Sequence, residues 1–337
     1  MKVYESTSKR LAHYKLFSNT TIKLIASFAQ KQAQYKNYQN FFKEVGVPKI
    51  IVHTTKKGDG VPLIDIPART KKAAQVLVIH LPMGNPLDAN QLYQVATIAA
   101  TNPTYRVIAF GNPSGKPNYY RQQNLTFLKR FKIAFTKNKH SLVEAELDYL
   151  YMQNIEEAHH VGYSYGALKA LMESYYSKKN SVKGIILIEP VAHSRGLKQL
   201  AEDFQATFKP MGEYVNRTNI PSYFKARVHA EKNGASAAQT LLRPINIAIA
   251  ILLAHTDFLQ LLKNVINQQP RASITVAWGS ESELGNDAHL KANLYNLSSS
   301  YQIHAMRLEG DKHALANDIY LYAAIVHEAL SISTKVE

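Results

Sequence analysis

A serine set between two glycines, Gly162-Tyr163-Ser164-Tyr165-Gly166, is the segment of this 337-residue chain best placed for covalent chemistry. Gly-x-Ser-x-Gly is the spacing that puts a serine on a sharp strand-to-helix turn, where a side chain two residues before or after would collide across the turn. A serine hydroxyl is a weak nucleophile near neutral pH, so Ser164 needs a base to take its proton and a set of donors to receive the charge of the attacked carbonyl. Zero cysteines exclude a thiolate nucleophile, thiolate metal sites and disulfides. His80, His159, His160 and His193 form no metal-ligand spacing and read as structural, so no metal is expected.

The flanking residues supply the elements that the turn requires. Ala158-His159-His160-Val161 reads as a short, unusually polar strand, and Ala167 to Tyr176 reads as a helix with Leu168, Leu171, Met172 and Tyr175 at helical spacing. Upstream, residues 8–45 read as helical and 49–55 with 61–67 as an antiparallel hairpin around Lys57-Gly58-Asp59-Gly60. Strands at 75–80, 105–110 and 182–188 alternate with helices at 89–101 and 141–154, the pattern of a mainly parallel sheet with helices on both faces. Strand signal vanishes between Ala192 and Gln269, then returns at 273–278 and 301–306, with a closing helix from Ala314 to Ser331.

Formal charge is +15, and its distribution is uneven. The first 60 residues hold eleven Lys/Arg against Glu5, Glu44 and Asp59, and the stretch from Lys116 to Lys139 holds seven Lys/Arg and no acid. Within that stretch Leu125 to Phe135 mixes apolar and basic residues. It reads first as a core-packed helix with a solvated basic face, and second as a segment that rests on an anionic membrane surface. No motif that reads DNA or RNA accompanies the charge, so nucleic acid is not an expected partner. No run of eighteen apolar residues and no secretory core at the N-terminus are present, which makes the cytoplasm the default expectation.

From Lys49 to Leu330 the order of elements, the serine turn and a late histidine together resemble the α/β-hydrolase family. His80-Leu81-Pro82-Met83-Gly84 stands where that family has a His-Gly loop, and Gly111-Asn112-Pro113-Ser114-Gly115 matches the loop after the next strand. Gly310-Asp311-Lys312-His313 matches the loop that carries the catalytic histidine. The resemblance implies a mainly parallel central sheet flanked by helices, with the core at 49–191 and 270–337, a helical cap at 192–269 and an N-terminal helical extension at 1–48. It also implies that Ser164 is the nucleophile and His313 the general base.

Two positions depart from the family pattern. Its usual acid is an aspartate three residues past a strand-ending glycine, and counting from Gly279 that place holds Ser282, flanked by Glu281 and Glu283. Either glutamate is the expected acid; Asp287, further along the loop, and Glu189, at the end of the strand after the serine helix, are the alternatives. The family's oxyanion donors would be the Tyr165 N–H and the N–H of the residue aligned with Pro82, which has none, so Met83 must supply the second.

The expected function is a serine hydrolase that cleaves a carboxylic ester or related acyl bond through an acyl-enzyme, with no cofactor. Its substrate would be a small acyl compound, apolar if Phe204, Phe208, Tyr214, Tyr223, Phe224 and the run from Ile245 to Leu253 line the site. Two alternatives stand beside it: a non-catalytic relative of the fold that binds a ligand or partner, and a lipid esterase held at a membrane surface.

Overall fold

The structure, a computed structural model, describes residues 2–70, 75–83, 87–112, 125–136, 138–192, 197–207, 213–214, 221, 244–285, 287–298 and 301–334. Its first elements are three short helices, α1 (Lys2–His13), α2 (Asn19–Gln32) and α3 (Tyr38–Val45). The Ser18 and Asn37 side chains cap the N-termini of α2 and α3, and Gly46 ends α3 in the left-handed region at φ 78°, where a Cβ would be strained.

A hairpin, β1 (Ile51–Thr54) and β2 (Gly60–Ile66), leads into alternation: β3 (Gln75–His80), α4 (Ala89–Thr101), β4 (Tyr105–Phe110), α5 (Phe127–Thr136), α6 (His140–Met152), β5 (Ala158–Tyr163), α7 (Tyr165–Tyr176) and β6 (Val182–Ile188). Between β6 and β7 (Ser273–Gly279) the described elements are α8 (Leu197–Thr207), α9 (Pro244–Ala254) and α10 (Phe258–Gln268). The chain continues through α11 (Asp287–Ser298), β8 (Ile303–Leu308) and α12 (Ile319–Ser333). The last strand begins two residues later than its sequence suggests, with Met306 and Leu308 as its buried members. Helix α12 starts at Ile319 because the Asp318 carboxylate caps it by accepting from the Leu321 N–H, and a short 3-10 turn, Leu315–Asn317, precedes it. Helix α11 escaped the sequence reading; only Leu290 and Leu294 are buried along it, too few to give a clear apolar stripe.

The eight strands form one sheet in the order β1-β2-β4-β3-β5-β6-β7-β8. Strands β3 to β8 run parallel, while β1 and β2 are antiparallel neighbours at one edge. Strand β6 shows why the strands read as continuous apolar runs: Ile186 and Ile188 pack on one face with α4, α12 and the N-terminal helices, and Ile185 and Leu187 pack on the other with α7, α9 and α10. The chain moves from β3 outward to β4, then returns to lay β5 on the opposite side of β3. The carboxyl ends of β3 and β5 therefore flank a topological switch point, the place where open α/β sheets hold their ligands.

Among the described residues no single helix is long and apolar enough to cross a membrane. The apolar helices α9 and α10 bend by 82° at their junction, and the buried residues of both belong to the core on the α7 side of the sheet.

Candidate active site

Ser164 sits between the last residue of β5 and the first of α7 with φ 57° and ψ −121°, a conformation that a non-glycine residue adopts only when its surroundings impose it. Two backbone bonds do so: the Ser164 N–H donates to the Ile188 carbonyl at 2.9 Å and the Ser164 carbonyl accepts from the Ala167 N–H at 3.0 Å. The flanking glycines are a condition of this turn. A Cβ on Gly162 would lie 2.1 Å from the Gly166 carbonyl oxygen, and one on Gly166 would lie 2.1 Å from the His80 carbonyl oxygen.

His313 arrives on the loop after β8. Its Nε2 is 2.8 Å from Ser164 Oγ, and its Nδ1 is 3.3 Å from Glu189 Oε2. All three residues are buried. Glu189, with φ 50°, follows β6 and is fixed from two sides: its Oε1 accepts from the Gly279 N–H at 2.7 Å, and its Oε2 accepts from the Ser282 hydroxyl. Burial raises the Glu189 carboxyl above its ordinary value, and the donors from His313, Ser282 and Gly279 pull against that rise.

Of the four candidate carboxylates, Glu189 is the one that meets His313 among the described residues. Glu281 is exposed, Glu283 is half-buried, and neither carboxylate comes within ion-pair distance of His313 among the described residues. Glu281 turns outward because its backbone N–H is tied to the Asp311 carbonyl at 2.8 Å. Asp287 is engaged elsewhere, accepting from Trp278 Nε1 at 2.8 Å and from Arg307 Nε at 2.7 Å; the Arg307 guanidinium holds its carboxyl below the ordinary value. Ser282, at the place where the resemblance expects an aspartate, lies 3.5 Å from His313 Nδ1 and holds Glu189 instead.

Of the expected oxyanion donors, Tyr165 is buried at the first position of α7, whose leading N–H groups have no helical partner. Met83 lies in the loop after β3, half-buried against the core on the α7 side. No hydrogen bond among the described residues uses the N–H of either. Gly84 and Pro113 to Gly115 of the neighbouring loops lie outside the described residues, as do His193, Phe208, Tyr223 and Phe224; the Phe204 side chain does too. The run Ile245–Leu253 lies in α9, with Ile249, Leu252 and Leu253 in the core beside Leu125 and Ile133.

Four contacts on His313 and its loop were not legible in the sequence. The Tyr163 hydroxyl donates to the His313 carbonyl, and its ring stacks on the imidazole at 5.7 Å; burial raises the phenol well above its ordinary value, so it remains a donor. Tyr214 reaches the same loop from the segment between β6 and β7. Its hydroxyl donates to Asp311 Oδ1 at 2.9 Å and accepts from the Lys312 N–H at 2.6 Å.

Beneath the serine turn lies a second, fully buried polar group of residues. Lys169 and Glu173, four apart on α7, share one helical face and meet Glu146 of α6, Asn112 after β4, His80 of β3 and His160 of β5. The two histidine rings are hydrogen-bonded at 3.3 Å, and burial holds both below the ordinary imidazole value, hence neutral. His80, His160 and Glu173 bring donor atoms within 4.8 Å of one another, as a metal site would. The cationic charge of this cluster is, however, already supplied by the Lys169 ammonium, which pairs with Glu146.

No family model and no curated protein matches the sequence. Solved structures do match. A membrane phospholipase A described as a bacterial virulence factor aligns with TM-score 0.58 and 14% identity over 92% of this chain and 93% of that one. A putative lipase of Acinetobacter baumannii aligns with TM-score 0.58 and 16% identity over 88% of this chain and 94% of that one. A carboxylesterase of the thaumarchaeon Nitrososphaera gargenis aligns with TM-score 0.55 and 15% identity over 85% of this chain and 99% of that one. The chain has the α/β-hydrolase fold. Identities this low speak for the α/β-hydrolase fold alone; the chemistry has to be argued from the site.

Proposed function

We propose that the protein is a serine hydrolase that cleaves carboxylic esters or related acyl bonds. The observation that carries this reading is the unbroken line from Ser164 Oγ through His313 to Glu189, at 2.8 Å and 3.3 Å, on the carboxyl ends of three parallel strands. In the reaction His313 Nε2 takes the Ser164 proton as Oγ attacks the acyl carbon, and the Glu189 carboxylate steadies the imidazolium through Nδ1. The Tyr165 and Met83 N–H groups receive the oxyanion. His313 then returns the proton to the departing alcohol, and water, deprotonated by the same imidazole, releases the acid from Ser164.

The test is turnover of p-nitrophenyl esters of rising chain length by the wild type, Ser164→Ala and His313→Ala, together with fluorophosphonate labelling. Loss of turnover by at least about 10³-fold in each variant, with labelling confined to Ser164, is the expected result. A folded wild type that neither turns over any ester nor labels would support a non-catalytic ligand-binding protein instead.

A second reading, a lipid esterase working at an anionic membrane surface, is favoured by α5. Its Phe131 and Phe135 are 49% and 71% exposed and stack on each other at 4.5 Å, beside exposed Arg130 and Lys132. An aromatic pair flanked by bases suits the boundary between headgroups and acyl chains. Flotation with phosphatidylcholine vesicles containing phosphatidylglycerol should recover the wild type and lose Phe131→Ser/Phe135→Ser. Equal recovery of both would remove this reading.

A further inference from the structure

Asn112 lies under the loop that carries the Met83 N–H, and it is fully buried. Its neighbour Gly111 anchors the end of β4 by donating to the Pro62 carbonyl at 2.8 Å. The orientation of its amide is decided by chemistry, because Lys169 Nζ, 2.9 Å away, can only donate. The amide oxygen must therefore face Lys169, and the NH₂ group must face the loop after β3. There it donates to two successive carbonyls, Leu81 and Pro82, the latter at 3.0 Å.

The Pro82 carbonyl and the Met83 N–H belong to one planar trans peptide, so they point in opposite directions. Anchoring the Pro82 oxygen from below fixes the direction of the Met83 N–H on the other side. Pro82 makes that anchor more consequential, since it leaves Met83 as the first residue after Leu81 with an N–H to offer.

We infer that Asn112, itself oriented by Lys169, is a positioning residue that aims the Met83 N–H at the oxyanion. Lys169 is in turn held by Glu146, whose carboxylate is kept charged, below its ordinary value despite burial, by the ammonium and His80. The relay runs from α6 through α7 and the end of β4 to the loop after β3. Glu146, Lys169 and Asn112 are all buried, so the aim of the N–H does not depend on solvent-exposed side chains. The inference rests on the esterase reading for its kinetic consequence, but the orientation of the peptide can be measured without it.

Asn112→Asp is the diagnostic variant. The carboxylate keeps the shape and still accepts from Lys169, but it has no proton to give the two carbonyls. The Met83 amide resonance, assigned by backbone NMR, should move well outside the spread of unrelated loop amides. Per active site, titrated with a fluorophosphonate, kcat on p-nitrophenyl butyrate should fall about 10- to 100-fold while KM stays within about twofold. Affinity for butylboronic acid, which becomes tetrahedral on the serine, should fall in parallel with kcat. Asn112→Ser, too short to reach both carbonyls and uncharged, carries the same readouts if the aspartate variant does not fold.

A Met83 amide that stays in place, or a kcat per site within twofold of wild type, overturns the inference. A wild type without turnover or labelling sinks the esterase reading alone, and the Met83 amide then still decides where Asn112 holds the peptide.

Discussion

Ser164 and Glu189 are, among the described residues, the two non-glycine residues with positive φ that touch His313, and both were named from the sequence for different reasons. Ser164 announces itself because its requirement is local: two glycines within two residues, each within 2.1 Å of backbone if given a Cβ. The carboxylate could not be ranked that way, since Glu189 and Ser282 are 93 residues apart and meet only once β6 and β7 pair. Proximity in sequence to the glycine ending β7 favoured Glu281 and Glu283, yet the Asp311 carbonyl captures the Glu281 backbone, and the loop turns Ser282 inward in its stead. Glu189→Gln should lower kcat by about 10² to 10⁴, because the amide cannot stabilise the imidazolium and permits the wrong tautomer. Glu281→Gln and Glu283→Gln should stay within about twofold of wild type in the same ester assay. Ser282→Ala removes one donor to Glu189 and should cost about tenfold in kcat with little change in KM. An acid role for the β7 loop would reverse the order of these effects.

At the scale of elements, the strand, turn and helix around the serine were legible from apolar periodicity, while the polar layer beneath them was not. The two histidines that made β5 look odd as a strand were its signal, together with Lys169 and Glu173 on the buried side of α7. Their partners lie on β3, α6 and the end of β4, and no local spacing links those segments. Glu173 offers a thermodynamic test of this layer. Burial and the nearby Glu146 charge push its carboxyl well above its ordinary value, against the pull of Lys169, and its close neighbour His160 is neutral. Above the ordinary glutamate range the unfolded chain releases this proton while the folded protein keeps it, so stability falls as pH rises, by up to about 1.4 kcal/mol per pH unit. Glu173→Gln abolishes that loss. Its melting temperature should match wild type near pH 4 and exceed it increasingly toward pH 8. A variant less stable than wild type at pH 8 would show that Glu173 is ionised in the fold. For the turn itself, Gly162→Ala should destabilise by more than about 3 kcal/mol, read by denaturant titration, because the new Cβ would meet backbone atoms of Gly166 and Ala167 that cannot yield.

Across the whole molecule, the sequence reading treats the first 48 residues as an extension, and the structure packs them into the same core as the sheet. Leu11, Ile25 and Phe41 are buried with residues of α4 and α12, and Phe41 meets Tyr93 with ring centroids 5.1 Å apart. The sequence reads as helical over 8–45 without marking three separate helices, and nothing local says which surface they cover. Removal of residues 1–46 should therefore yield insoluble or partly unfolded protein rather than a trimmed but folded one. A soluble truncation with an unchanged melting temperature would mean that this layer is dispensable. Polar ties to α12 help secure it: Arg10 pairs with the Asp318 carboxylate, and Ser18 donates from both its N–H and its hydroxyl to Glu328, each at 2.9 Å. Those partners are 308 and 310 residues apart. A ribosome adding about 5 to 20 residues per second needs roughly 15 to 60 s to cover that distance. During that interval α1 and α2 lack their partners on α12, and His313, just upstream of Asp318, has not yet been made. The segment that ties down the N-terminal helices is thus the one that follows His313 directly, so Ser164 and His313 meet only as α1 and α2 gain these last partners.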